Sequence, residues 1–185
     1  MSSWRVGTDV PLSVSWTSEQ SFDLKESSEF PGWVDLVQQE CQGKGDPKFA
    51  TLHVSRQRRA MHRHLCHVCG RQTLARDRYI FPLVTGGFVT LGDETMRYAS
   101  TVPSVHLDCA KKAQKLCPHI HQSMNDPVPF PSEETDLHPR PNVPAGMEEL
   151  EKTLPRGLKV VFSSVRVFGP RFSRRIARLR NDAPI

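Results

Sequence analysis

Cysteine spacing constrains this chain more than any other feature. Four of its five cysteines lie between Cys66 and Cys117. The stretch opens with Cys66-His67-Val68-Cys69-Gly70 and closes with His106-Leu107-Asp108-Cys109, then Cys117-Pro118. In a Cys-x-x-Cys turn the bend after the first residue brings two thiolates toward one centre, and Gly70 accepts a positive φ at low cost. His106 and Cys109, spaced i and i+3, share one face at the start of a helix and complete a tetrahedral donor set. The cysteine count is odd. The amino terminus lacks an apolar core of signal-peptide length, and no later run approaches a membrane span. A cytoplasmic location is therefore expected, where thiols stay reduced and a metal is favoured over disulfides.

Between the ligand pairs, Tyr79–Val84 and Phe88–Leu91 flank Thr85-Gly86-Gly87 and read as a hairpin, with Pro82 marking an edge or a bulge. Met96–Ala99 reads as a third strand. After Pro103 a helix is expected from Ser104 as N-cap, with Asp108 in its first turns. Knuckle, hairpin and ligand-bearing helix in this order resemble the treble-clef zinc finger over residues 66–117, on the strength of Cys66, Cys69, His106 and Cys109. The resemblance implies a structural Zn2+, because four protein ligands leave no open position for water. It implies too that metal binding supplies folding free energy to a small module.

Other ligand sets include Cys117 or His119. In a further reading Cys109 and Cys117 are buried thiols and Cys66/Cys69 a redox pair, but no βαβ pattern surrounds Cys66 as such a motif requires. The related HNH nucleases need a histidine base on the hairpin and an asparagine or second histidine. Gly70 to Val105 contains neither residue type. The run Arg56-Gln57-Arg58-Arg59-Ala60-Met61 ahead of the knuckle, with Cys109-Ala110 and Cys117-Pro118 later, is similar to a group of small uncharacterised actinobacterial proteins. That similarity implies a bacterial chain and no particular activity.

Of the 185 residues 37% are hydrophobic and 15 are proline, which points to a modest core with much irregular structure. The net charge of +5 is mild, so its distribution matters more than its sum. Val10, Leu12, Val14 and Trp16 alternate as a half-buried strand. Thr17–Glu29 reads as a strand end and loop. Pro31 opens a short helix through Trp33, Val34, Leu36 and Val37, and Cys41 beyond it is a plain thiol. Phe49–Leu65 reads as a helix carrying Arg56, Arg58, Arg59 and Arg63, continued by Arg71, Arg76 and Arg78. This is either a phosphate-contacting stripe or a solvated face. His53, His62, His64 and His67 crowd the knuckle as candidate ligands or switches, with the His67 ring pointing outward.

Prolines 127, 129, 131, 139, 141 and 144, with Glu133, Glu134 and Asp136, mark an extended connector, and Gly146–Leu154 a short acidic helix. Leu158–Phe162 and Val165–Phe168 read as strands that pair with the N-terminal strand. Arg171, Arg174, Arg175, Arg178 and Arg180 interleave with Phe172, Ile176 and Leu179 as a basic amphipathic helix. Its candidate targets are nucleic acid, an anionic membrane surface, and an acidic partner or its own domain.

The expected architecture is α+β, a zinc-stapled hairpin-helix module with strands from both chain ends and a long proline-rich connector. Residues 1–124 hold the N-terminal region and the 66–117 module, 125–157 the connector, and 158–185 the terminal strands and tail, packed on the same domain. The function expected is a non-catalytic zinc-binding protein that contacts nucleic acid through Arg56, Arg58, Arg59, Arg63, Arg171, Arg174, Arg175 and Arg178. A zinc-stabilised adaptor for protein partners is the alternative. An enzyme is third, because no Ser-His-Asp order, phosphate-cradling glycine loop or paired carboxylate stands out.

Overall fold

A computed structural model describes residues 4–82, 85–92, 94–117, 120, 126–143 and 148–181. Its strands in chain order are β1 (Val14–Trp16), β2 (Phe22–Glu26), β3 (Val34–Gln38), β4 (Pro47–Leu52), β5 (Tyr79–Ile80), β6 (Gly86–Thr90), β7 (Met96–Ser100), β8 (Val128–Pro129), β9 (Thr135–Arg140), β10 (Val160–Val161) and β11 (Ser163–Phe168). The helices are α1 (Val54–Arg63), α2 (Leu107–Leu116), α3 (Glu148–Thr153) and α4 (Pro170–Asn181). Helices and sheets are mixed, as an α+β class requires. Among the described residues no helix is long and apolar enough to cross a membrane.

The largest sheet is antiparallel in the order β6-β7-β11-β9. Tyr98 and Phe168 bury their rings on one of its faces, 5.4 Å apart, where Phe172 and Ile176 of α4 cover them. Spacing by four puts both α4 residues on one stripe, and fully burying each such side chain contributes roughly 1.5–3 kcal/mol. The first turn of α4 is capped from outside, since the Phe172 N–H donates to Glu133 Oε1 at 2.6 Å. A second core gathers Leu36, Val54, Val160 and Phe162 where α1 meets the sheet β10-β3-β2.

Several expectations change here. The run after Pro31 is the strand β3, antiparallel to β2 and parallel to β10. Its apolar spacing suits either period, and Gly32 at φ +80 turns the chain so that β2 and β3 pair instead. Strand β2 was hidden within the expected loop because only Phe22 is half-buried along it. The expected helix 49–65 divides into β4 and α1 at His53, whose Nδ1 accepts the Arg56 N–H at 3.2 Å as an N-cap. Strand β5 pairs with β8, and the true hairpin is β6–β7, with Glu94 at φ +60 between its strands. Leu83 and Val84, expected in the first strand, lie outside the described residues.

The C-terminal strands do not join the N-terminal one. β1 pairs with β4, whereas β11 lies between β7 and β9. The proline-rich stretch contributes β8 and β9, and β9 pairs with all six residues of β11. Pro139 is tolerated because β9 is an edge strand. The acidic helix and the basic tail helix form as α3 and α4.

Candidate metal centre

Two short segments build the centre. The first follows α1, which stops at His64 in the left-handed region at φ 50. The Cys66 N–H then donates to Arg71 O at 2.7 Å and the Gly70 N–H to Cys66 O at 2.9 Å, which closes the knuckle. Gly70 sits at φ +73, and a Cβ there would run into Leu12. Leu12 itself is fixed by its N–H donating to Val68 O at 2.8 Å. Gly70→Ala is expected to destabilise the protein by about 1 kcal/mol or more, read as a lower urea midpoint. An unchanged midpoint would show that the turn relaxes freely.

The second segment is the start of α2. The helix begins after His106 rather than at Ser104, which is buried with its hydroxyl beside Thr73 Oγ1 at 3.2 Å. Asp77 supplies the cap, accepting the Leu107 N–H at 2.9 Å. The His67 N–H donates to Ser104 O at 2.8 Å, and Tyr79 and Val105 exchange backbone bonds of 2.8 and 2.9 Å. Those bonds hold the two segments face to face.

One donor atom each from Cys66, Cys69, His106 and Cys109 lies within 4.8 Å of all the others. His106 Nδ1 stands 3.5 Å from Cys69 Sγ and 4.0 Å from Cys109 Sγ. On the far side of the ring, Nε2 is 3.1 Å from Gln72 O. With the proton on Nε2 donated to that carbonyl, the Nδ1 lone pair faces the sulfurs, the tautomer a metal ligand requires.

The electrostatics point the same way. Burial pushes the Cys66 thiol up, partly offset by backbone N–H groups of Cys69, His106 and Val68. Burial and the neighbouring sulfurs push Cys109 up to about 12. Burial opposes ionisation of Cys69 too, but the backbone N–H and guanidinium of Arg71 outweigh it and bring that thiol down to about 7. Three thiolates this close repel one another, so a cation is what allows them all to ionise. The Cys3His cluster is compatible with a metal ion on these grounds.

Cys41 and Cys117 are half-buried and stand outside the cluster, and His119 lies beyond the described residues. The four histidines nearest the knuckle in sequence do not join it. His53 caps α1, and His64 ends it with its titration held down to about 4 by burial, Arg166 and Arg78. His67 does not point outward: its Nδ1 meets Ser13 Oγ.

The expected arginine stripe divides. Arg56 is 2% exposed and pairs with the equally buried Glu19, Nη1 to Oε1 at 2.7 Å and Nη2 to Oε2 at 2.8 Å. Arg58 donates to Leu36 O at 2.6 Å and Val161 O at 3.0 Å, beside Asp35 at 3.7 Å. These two cannot contact phosphate, because their guanidiniums are committed inside the fold. Arg59 and Arg63 are exposed, and Arg59 is paired with Glu40 at 3.1 Å. Arg171, Arg174, Arg175 and Arg178 are all exposed along α4.

One arrangement had no sequence signal. His62 places Nε2 3.1 Å from Ser164 Oγ and Nδ1 3.1 Å from Glu29 Oε2, in the connectivity of nucleophile, base and acid. Ser164 is 0% exposed, however, and its N–H donates to Gln57 Oε1 at 3.0 Å. An electrophile cannot reach Oγ, and that N–H is not free to hold an oxyanion. The row therefore clamps the β2–β3 turn and α1 to β11. Comparison of the chain with known protein families, curated proteins and solved structures finds no match.

Proposed function

We propose that the chain is a non-catalytic zinc-binding protein in which Cys66, Cys69, His106 and Cys109 hold one structural Zn2+ and α4 contacts nucleic acid. The observation that carries the zinc reading is the convergence of three sulfurs and a correctly oriented imidazole within 4.8 Å. Zn2+ suits a mixed thiolate and imidazole set in tetrahedral geometry, and a closed set serves structure rather than Lewis acid chemistry. Knuckle, β6–β7 hairpin and ligand-bearing α2 follow one another as in a treble clef, which supports that kinship. In this reading the carboxyl end shares a domain with residues 1–124, since β10 pairs with β3 and β11 with β7. One zinc per chain by elemental analysis is expected. Cobalt substitution should give the absorption of a tetrahedral thiolate site, and octahedral spectra or absent metal would reject it.

The nucleic-acid reading now rests on α4. Arg171, Arg174, Arg175 and Arg178 recur at intervals of three and four, so they share one outer face while Phe172 and Ile176 anchor the inner one. None of the four has an ion-pair partner among the described residues. Such a row can neutralise successive phosphates and release their counterions. Arg174→Glu with Arg178→Glu is expected to weaken binding of random-sequence DNA or RNA at least about tenfold and to flatten the log–log salt slope by about 2. If the wild-type protein binds neither polymer at low salt, this reading fails and the zinc reading stands.

A further inference from the structure

Among the described residues the fully buried arginines come with carboxylates, with one exception. Arg56 has Glu19 and Arg58 has Asp35. Arg166 on β11 is only 6% exposed, yet among the described residues no carboxylate lies within ion-pair distance of it. Its guanidinium donates to two neutral acceptors, Thr135 Oγ1 at 2.7 Å and Met61 O at 2.5 Å. Met61 sits in the last turns of α1, so the helix dipole offsets part of the charge. A second guanidinium makes matters worse. Arg78 lies 5.3 Å from the centre of the Phe130 ring, Arg166 lies 5.7 Å from the same ring, and Arg78 too donates only to neutral acceptors, Thr73 Oγ1 and Thr73 O at 2.9 and 2.7 Å. Burial and Arg78 together bring the Arg166 titration down to about 10.

A buried charge without a partner is costly, and a half-buried guanidinium of the same sign beside it adds to the cost. Beside them lies a cavity of about 10 Å³ whose polar lining is His64, Ser104 and Arg166, with Met61, Phe130 and Phe168 among its apolar walls. Space on that scale suits one water or one monatomic ion and excludes a tetrahedral oxyanion. Donors are at hand. The Thr73 hydroxyl gives its proton to His64 O at 2.8 Å and accepts from Arg78, so Ser104 is the donor in the long 3.2 Å bond between the two hydroxyls, and its rotor can give up that bond to turn the proton to an ion in the cavity.

We propose that this cavity is an anion site for a single halide ion, chloride by size, bound by Arg166 with Ser104 and His64 as hydrogen-bond donors and with Arg78 adding positive charge. The ion would join the end of α1, β11 and the loop before α2. Because Ser104 O also accepts the His67 N–H, it would fasten the knuckle to the main sheet.

The test uses the full-length, metal-loaded protein. At constant ionic strength, replacing gluconate by chloride or bromide is expected to raise Tm saturably, by roughly 3–6 °C at ten times Kd. Arg78→Gln and Arg166→Gln should reduce or abolish that dependence. In bromide-soaked crystals of the unaltered protein an anomalous peak is expected between Arg166 and Ser104. If Arg166→Gln does not fold, Arg78→Gln and the bromide crystal still decide the matter. Tm values indifferent to halide overturn the site, whether the cavity shows no peak or a peak from binding at crystal concentration only.

Discussion

Stripping the proposed zinc with a chelator is expected to unfold the region between α1 and α2 and to carry the rest of the chain with it. Structural zinc binding is worth on the order of 10–16 kcal/mol in zinc-finger peptides, comparable to a whole domain's net stability of about 5–15 kcal/mol. Beyond its hydrogen bonds to Leu12, Ser13 and Ser104, little else holds the knuckle. Its buried apolar packing is Cys66, Val68, Phe81, Val105 and Ala110, a cluster that includes one of the proposed ligands. Cys109→Ser or Cys66→Ser should therefore lose stoichiometric zinc and the cooperative thermal transition together, as read by elemental analysis and calorimetry. A Cys109→Ser protein with unchanged zinc content and unchanged Tm would contradict the ligand assignment.

The second large effect is expected at Glu19. Its carboxylate accepts two bonds from Arg56 and also the N–H groups of Trp16 at 2.8 Å and Cys41 at 3.0 Å. Removing one member of a buried pair leaves the other charged and desolvated, at a cost of about 3–5 kcal/mol. Glu19→Ala should show that loss in urea denaturation. Adding Arg56→Met should recover part of it, because the stranded cation is gone. The sign of the pH effect follows from the titration. Burial raises the Glu19 titration, but Arg56, His53 and the Cys41 N–H outweigh it, so the folded value lies below the ordinary glutamate value. The stability Glu19 contributes is thus fully present above pH about 4.3 and is lost as pH falls through the lowered folded value. Wild-type denaturation midpoints should drop across that acid window, and those of the Glu19→Ala, Arg56→Met protein should drop less.

How much of this was legible depended on where each residue's partners lie in sequence. The four residues of the Cys/His cluster are two pairs set by local turns, and α4 writes its buried and exposed faces within twelve residues. Those could be read directly. Strand β9 could not, because the prolines and acids in and around it match no period and its pairing depends on β11. Arg56 and Arg58 looked like a surface stripe because their carboxylates arrive from β3 and the segment after β1. The same holds for β3, whose apolar residues fit a helix until strands on both sides claim its backbone.

The parallel pairing of β3 with β10 has a consequence for synthesis. Val34 must wait for Val160, about 125 residues later, before its edge of the sheet is closed. A nascent chain would have the sequence of its knuckle out of the ribosome while β3 still lacked one neighbour. The four residues of the candidate metal centre are all made early, but the domain can lock only when the carboxyl end arrives. Truncation before β10 would therefore leave a chain with an open, aggregation-prone strand edge rather than a smaller stable domain.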